Sequence, residues 1–133
     1  MSEENIEIVR SLIEAWNEHD EALAASYLAD DIEWAPAGPA AVDRVVYRGP
    51  EECARGFASV WETWDEFRFE EAEVRDLGHS ALWLGRVHMR GRASQIELDQ
   101  EFANRFDLRD GLITRVHAFL TWRDALNAAG PSE

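Results

Sequence analysis

A single cysteine, Cys53, in 133 residues rules out an internal disulfide and leaves no cysteine-based metal set. Lysine is absent. All 13 basic residues are arginine, set against 27 carboxylates, and the formal net charge is −14. Such a surface repels phosphate backbones and anionic lipid, so neither nucleic acid nor membrane is expected as a partner. No apolar run approaches the ~18 residues of a membrane span. The acidic start, MSEENIEI, lacks the basic and apolar regions of a secretory signal, which places the protein in the cytoplasm. There is no glycine-rich phosphate loop, and His19, His79, His88 and His117 are too scattered to form a ligand set, so no metal and no cofactor is expected. No internal repeat or low-complexity segment occurs. What the chain has instead is apolar mass: 46% of residues are hydrophobic, six of them tryptophan and six phenylalanine. Residues 1–133 therefore form one domain with a core of its own.

Ile6, Val9, Ile13 and Trp16 fall at i, i+3, i+7 and i+10, which predicts an amphipathic first helix. Asn17 to Asp20 interrupts that period, and Asp20 is placed to cap a second helix carrying Ala22 to Leu28. Ile32 and Trp34 then alternate with Asp31 and Glu33, a half-buried strand entered through Asp30-Asp31 as turn and cap residues. Pro36 to Val46 reads as a loop and Val45 to Arg48 as a short returning strand. Gly49-Pro50-Glu51-Glu52 opens a third helix, with proline in its first turn and acids at its positive end. Cys53, Phe57, Trp61 and Trp64 form its apolar face. Cys53 there is a small buried side chain rather than a nucleophile.

The second half reads as an antiparallel meander: Phe67 to Leu77, Ser80 to Arg92, Ile96 to Leu108 and Leu112 to Thr121. Asp110-Gly111 supplies the type I′ turn between the last two. Trp122 to Ala129 is a terminal helical turn. Helices followed by strands give an α+β class. Alternation puts Ala81, Trp83, Gly85, Val87 and Met89 on the inner face of their strand and Leu82, Leu84, Arg86, His88 and Arg90 on the outer. The inner stripes that follow are Ile96, Leu98, Phe102, Asn104, Phe106 and Leu108, then Leu112, Thr114, Val116, Ala118 and Leu120. Ile113, Arg115, His117 and Phe119 face outward. Asn104 breaks an otherwise dry face. A buried amide without partners costs ~1–3 kcal/mol, so it must meet a backbone group, a water or a ligand.

The segment IEIVRSLIEAWNEHDEALAASYLADDIEW resembles the opening of the NTF2-like superfamily, in its SnoaL-like and ketosteroid-isomerase-like branch, and the resemblance runs over about residues 3 to 128. It implies a cone, in which N-terminal helices pack into the concave face of a strongly curved, mainly antiparallel sheet. It also implies a homodimer through the convex face, where Leu82, Leu84, Ile113 and Phe119 mix with charges poorly suited to open water. Asn104 matches the position at which ketosteroid isomerases carry a protonated acid that donates to the developing oxyanion. The rest of that machinery does not carry over. The isomerase tyrosine falls at Leu12 and its carboxylate base at Ala35 or Trp34, with Glu33 on the wrong side of the strand. Limonene-epoxide-hydrolase-like enzymes fare no better: Arg86-x-His88 is the nearest match to their Arg and Asp, and their last Asp falls at Thr121.

The expected pocket for a small apolar ligand comprises Leu12, Trp16, Trp34, Phe57, Trp61, Trp83, Val87, Phe102, Phe106 and Val116. The expected chemistry is a cofactor-free isomerisation, cyclisation or dehydration of a carbonyl or hydroxyl compound. Asn104 would polarise the oxygen, Tyr27 would assist, and His88 would serve only if a bulge at Gly85 turned Arg86 and His88 inward. The competing reading is a non-catalytic module, whose cone binds a ligand or is simply full. An inward titratable group with a shifted pKa favours chemistry, and an apolar cavity with one amide favours binding.

Overall fold

The computed structural model describes residues 2–37 and 46–129. Most of the Pro36–Val46 loop expected from the sequence therefore lies outside the described residues. The first element, α1 (Ser2–Asn17), buries Val9, Leu12, Ile13 and Trp16. It stops where the polar break predicts, and the last side chain docks it: Asn17 donates to the Phe69 carbonyl at 3.0 Å and accepts from the Phe69 N–H at 2.8 Å. Asp20 caps α2 (Glu21–Ala25) by accepting from the Leu23 N–H at 3.1 Å. That helix is shorter than its pattern suggests, because Leu28 already belongs to β1 (Leu28–Ala35). Asp30 and Asp31 are thus strand residues rather than turn residues, and Asp31 pairs with Arg109 at 3.0 Å. β2 (Tyr47–Arg48) returns beside β1, and α3 (Gly49–Thr63) follows with Pro50 in its first turn. Trp64 is not on that helix, as its spacing predicts, but opens the next strand.

The meander comprises β3 (Trp64–Asp76), β4 (Ser80–Gly91), β5 (Glu97–Arg109) and β6 (Leu112–Phe119), closed by α4 (Trp122–Ala129). The six strands form one curved open sheet in the order β2-β1-β6-β5-β4-β3, parallel at β1–β6 and antiparallel elsewhere. The turn between β5 and β6 has Asp110 and Gly111 at φ 54° and 80°, as a type I′ hairpin requires. Helices α1 and α3 pack against the sheet and enclose one main core around Trp16, Trp34, Phe57, Trp83 and Phe106.

Bulges explain where simple alternation fails. On β6, Leu108 faces Ile113 and Asp107 faces Arg115, which leaves Thr114 as an extra residue. The phase flips there. Ile113 is therefore buried in the main core rather than outward, while Leu112 is exposed rather than inward. Ile96, Leu98 and Leu120 are exposed as well, at or just beyond the ends of β5 and β6. The bulge sought at Gly85 is on the opposite strand: Glu71 pairs with Gly85 and Glu73 with Leu84, so Ala72 is the extra residue of β3. Strand β4 itself keeps an unbroken register with β5.

The convex face also differs from expectation. Leu82, Leu84 and Ala103 are fully buried there, but it is α4 that covers them, through Ala125, Trp122 and Leu126, with Phe119 packed alongside. Trp122 fixes the helix by donating its indole N–H to the Gly85 carbonyl at 2.9 Å and its backbone N–H to Glu101 at 2.7 Å. The leucines that argued for a convex-face dimer are thus already covered by the chain itself.

Candidate functional site

Residues from five elements converge on the interior beneath the sheet. Trp16 comes from α1, Trp34 from β1, Phe57 and Val60 from α3, Phe67 and Phe69 from β3, and Phe102 and Asn104 from β5. With Ala118 of β6 they line a void of about 10 Å³, room for one water-sized centre. A second void of about 10 Å³ lies between α1, α2 and α3, bordered by Leu28, Cys53, Trp61 and again Trp16 and Phe57. The Trp16 and Phe57 rings, with centroids 4.4 Å apart, are common to both walls. Phe57 also lies flat on Trp34, at 4.2 Å and 7°. Among the described residues, the interior is an aromatic stack with these two small gaps between its rings.

Of the ten pocket residues expected from sequence, Trp16, Trp34, Phe57 and Phe102 border the Asn104 void, and Trp61 borders the second void with Trp16 and Phe57. Leu12, Trp83, Val87, Phe106 and Val116 are in the same buried cluster but line neither gap. Phe67 and Phe69 do line the Asn104 void. Their alternation with Arg68 on β3 carries that signal, and so does their position next to β4 in the meander.

The three residues proposed for chemistry are not brought together. Asn104 is 2% exposed, and its Oδ1 has no hydrogen-bond partner. Tyr27 is half-buried in a different place, bordering a surface hollow with Glu4, Glu7, Ile8 and Ser11. His88 faces outward. Its Nε2 lies 2.6 Å from Glu70 and its Nδ1 2.7 Å from Asp99, and Arg86 pairs with the same Asp99 at 2.6 Å. The Arg86 hydrogen bond is the main reason that the Asp99 carboxyl sits below the ordinary aspartate value. The condition under which His88 was a candidate base is therefore not met. Cys53 borders the second void, but burial, with Glu52 adding to it, pushes its thiol up to about 12. It stays protonated and is a poor nucleophile. Among the described residues lining the Asn104 void, none is a carboxylate, a histidine or an arginine. Nor do three His, Cys, Asp or Glu side chains gather into a metal-holding group among the described residues.

A larger hollow, about 300 Å³, lies on the convex face beside Arg105, Asp107, Arg115 and His117. Its polar groups are largely engaged: Asp107 accepts from Ser80 at 2.7 Å and from Arg105 at 3.1 Å. Burial first, then the charges of Arg115 and Arg105, hold His117 below the ordinary imidazole value. None of the lining side chains is a buried polar group lacking a partner. The cone interior, though smaller, is lined by two, Asn104 and Trp16.

A sequence profile of the SnoaL-like domain matches residues 9–116. No curated protein matches the chain. Among solved structures, an NTF2-like protein of unknown function from Burkholderia pseudomallei is 18% identical, with a TM-score of 0.79 over 96% of this chain and 98% of that one. TerC co-crystallised with polyporic acid gives 18% identity and a TM-score of 0.79 over 96% and 99%. A provisionally assigned polyketide cyclase from Xanthomonas campestris gives 18% and 0.78 over 97% and 98%. At such identities the likeness establishes the fold and no activity. No described helix is long and apolar enough to cross a membrane.

Proposed function

Because the chain belongs to the SnoaL-like domain family, we propose that it holds a small apolar molecule in the aromatic interior of the cone, with Asn104 as the polar anchor. One observation carries this reading: the buried Asn104 Oδ1 lacks a partner and its residue borders a void. Asn17 shows what the fold does with an amide whose role is structural, since both ends of that amide are hydrogen-bonded to Phe69. An unsatisfied buried amide is costly, and a ligand that satisfies it recovers the cost on binding. TerC, which shares this fold, has been co-crystallised with a small molecule, polyporic acid. Entry requires Phe57 and its neighbours to part, because the gaps themselves hold no more than a water.

Binding is favoured over turnover. An isomerase, cyclase or dehydratase needs a proton acceptor within reach of the ligand. Among the described residues the void offers an amide and rings, and His88 is on the other face of the sheet. The cofactor-free enzyme reading rests on Asn104 polarising an oxygen by itself, a weaker basis than the binding reading.

A thermal-shift screen over apolar ketones, alcohols, steroids, polyketide fragments and epoxides tests the proposal. A ligand at 100 times its dissociation constant adds about 2.7 kcal/mol, which raises the melting temperature by several degrees. Asn104→Leu should hold or raise stability while abolishing the shift. A loss of more than about 1 kcal/mol in the unliganded variant would instead assign Asn104 to structure. A convex-face homodimer, the other partner expected from the sequence, would have to form over α4 and the ion-paired strip of Arg86, His88 and Asp99. Light scattering at micromolar concentration decides it. A 15.2 kDa species counts against the dimer, and a doubled mass supports it.

A further inference from the structure

Two residues that line the same void each carry a polar atom without a partner, and the chemistries of those atoms are opposite. Asn104 Oδ1 is an acceptor and Trp16 Nε1–H is a donor. Both are buried, and neither has a hydrogen-bond partner. Trp16 is 3% exposed and Asn104 is 2% exposed, so bulk water does not satisfy them. A third such atom, Trp83 Nε1, is on the residue registered opposite Asn104, but Trp83 does not line the void.

We infer that the occupant of this void presents a hydroxyl group, whose O–H donates to Asn104 Oδ1 and whose oxygen accepts from Trp16 Nε1–H. This rests on the ligand-binding reading above and narrows it to alcohols, phenols and enols. The argument is one of donor and acceptor counting. A ketone or ether oxygen has lone pairs only, so it satisfies the indole and leaves the Asn104 oxygen bare. A hydrocarbon satisfies neither. A hydroxyl serves both, and so does a water molecule, which about 10 Å³ accommodates. The hydroxyl of a ligand replaces that water and reproduces its hydrogen bonds, the condition under which displacing an ordered water costs no affinity. Trp16 thereby becomes a positioning residue for the ligand as well as part of the core. Its ring, tilted 37° against Phe57 and 34° against Phe106, holds the N–H in place by packing on two sides.

The test is a matched series on one flat skeleton: 2-naphthol, 2-methoxynaphthalene and naphthalene, with 2-acetylnaphthalene as the ketone. Each is titrated calorimetrically into the whole chain. The expected result is that 2-naphthol binds roughly tenfold tighter than its methyl ether, the worth of one well-made hydrogen bond in a dry site. That ratio should collapse in Asn104→Leu and shrink in Trp16→Phe, which keeps a ring and deletes the N–H. The wild-type ratio is decisive even if a variant fails to fold. Equal binding of naphthol, ether and naphthalene would overturn the hydroxyl assignment while leaving a ligand-binding interior. Preference for the ketone would mean that Asn104 presents its amide N–H, and would overturn it too. No binding by any of the four would bring down the assignment together with the reading beneath it.

Discussion

Gly85→Ala is expected to lower the stability of this protein by about 3 kcal/mol or more, at the upper end of what an added methyl does in a filled interior. A Cβ at residue 85 would sit 2.1 Å from the Glu70 carbonyl oxygen and 2.6 Å and 2.9 Å from atoms of the Trp83 ring. Neither neighbour yields cheaply. Glu70 leads into the bulge that leaves Ala72 unpaired, and Trp83 is fully buried. On the other side, the Gly85 carbonyl accepts from Trp122, so a shift of β4 would also loosen α4 over Leu82 and Leu84. Urea denaturation measures the effect. A loss below about 1 kcal/mol would mean that the β3 bulge can move aside, and that the glycine is a convenience of the sheet rather than a requirement.

Phe57→Ala is expected to cost about 3–5 kcal/mol, the usual range for removing a buried aromatic ring. It should also create a binding site. Phe57 borders both interior voids and stacks on Trp34, so truncation joins the gaps into one ring-sized chamber. Apolar cavities of that kind stay dry and take up small apolar guests. Saturating toluene should therefore raise the melting temperature of Phe57→Ala by more than it raises that of the wild type, whose rings must part before a guest enters. An equal rise in the two would show that removing the Phe57 ring adds no site.

Local rules carried most of the fold. The 3.6-residue stripe on α1, the Asp20 cap, the Pro50 start and the Asp110-Gly111 turn each depend on a few neighbouring residues, and each is found where the pattern puts it. Alternation held along β4 and through Phe102, Asn104 and Phe106 on β5. It failed at Thr114 and misplaced the irregularity near Gly85, because a bulge is a property of two strands and only one of them is in view along the chain. The role of α4 was invisible for a similar reason. Leu82 and Leu84 read as an outward apolar pair needing a cover, and nothing local says that Trp122, Ala125 and Leu126 supply it. At the candidate site, Asn104 stood out as the one amide in a dry stripe. Trp16 was expected as a pocket wall but not as a hydrogen-bond donor, since an indole on an apolar helix face offers only its ring until its N–H is found without a partner.

The position of β3 at the end of the sheet has a bearing on how copies of this protein meet. A thirteen-residue strand that, among the described residues, has a neighbouring strand on one side only is a template for joining another chain edge to edge wherever Asn17 does not already hold its backbone, and the opposite border, β2, is too short to offer the same. The safeguard on β3 is written in carboxylates: Glu66, Glu70, Glu71 and Glu73 are all exposed along it, on a molecule carrying −14 overall. Two such borders repel one another, and joining them would also disturb the partners of these glutamates, Arg90, His88, Arg10 and Arg75. Asp65, at the start of the same strand, is hydrogen-bonded to Arg90, which holds its carboxyl below the ordinary aspartate value. The same border that ends the fold is the place where a filament begins once those charges are taken away.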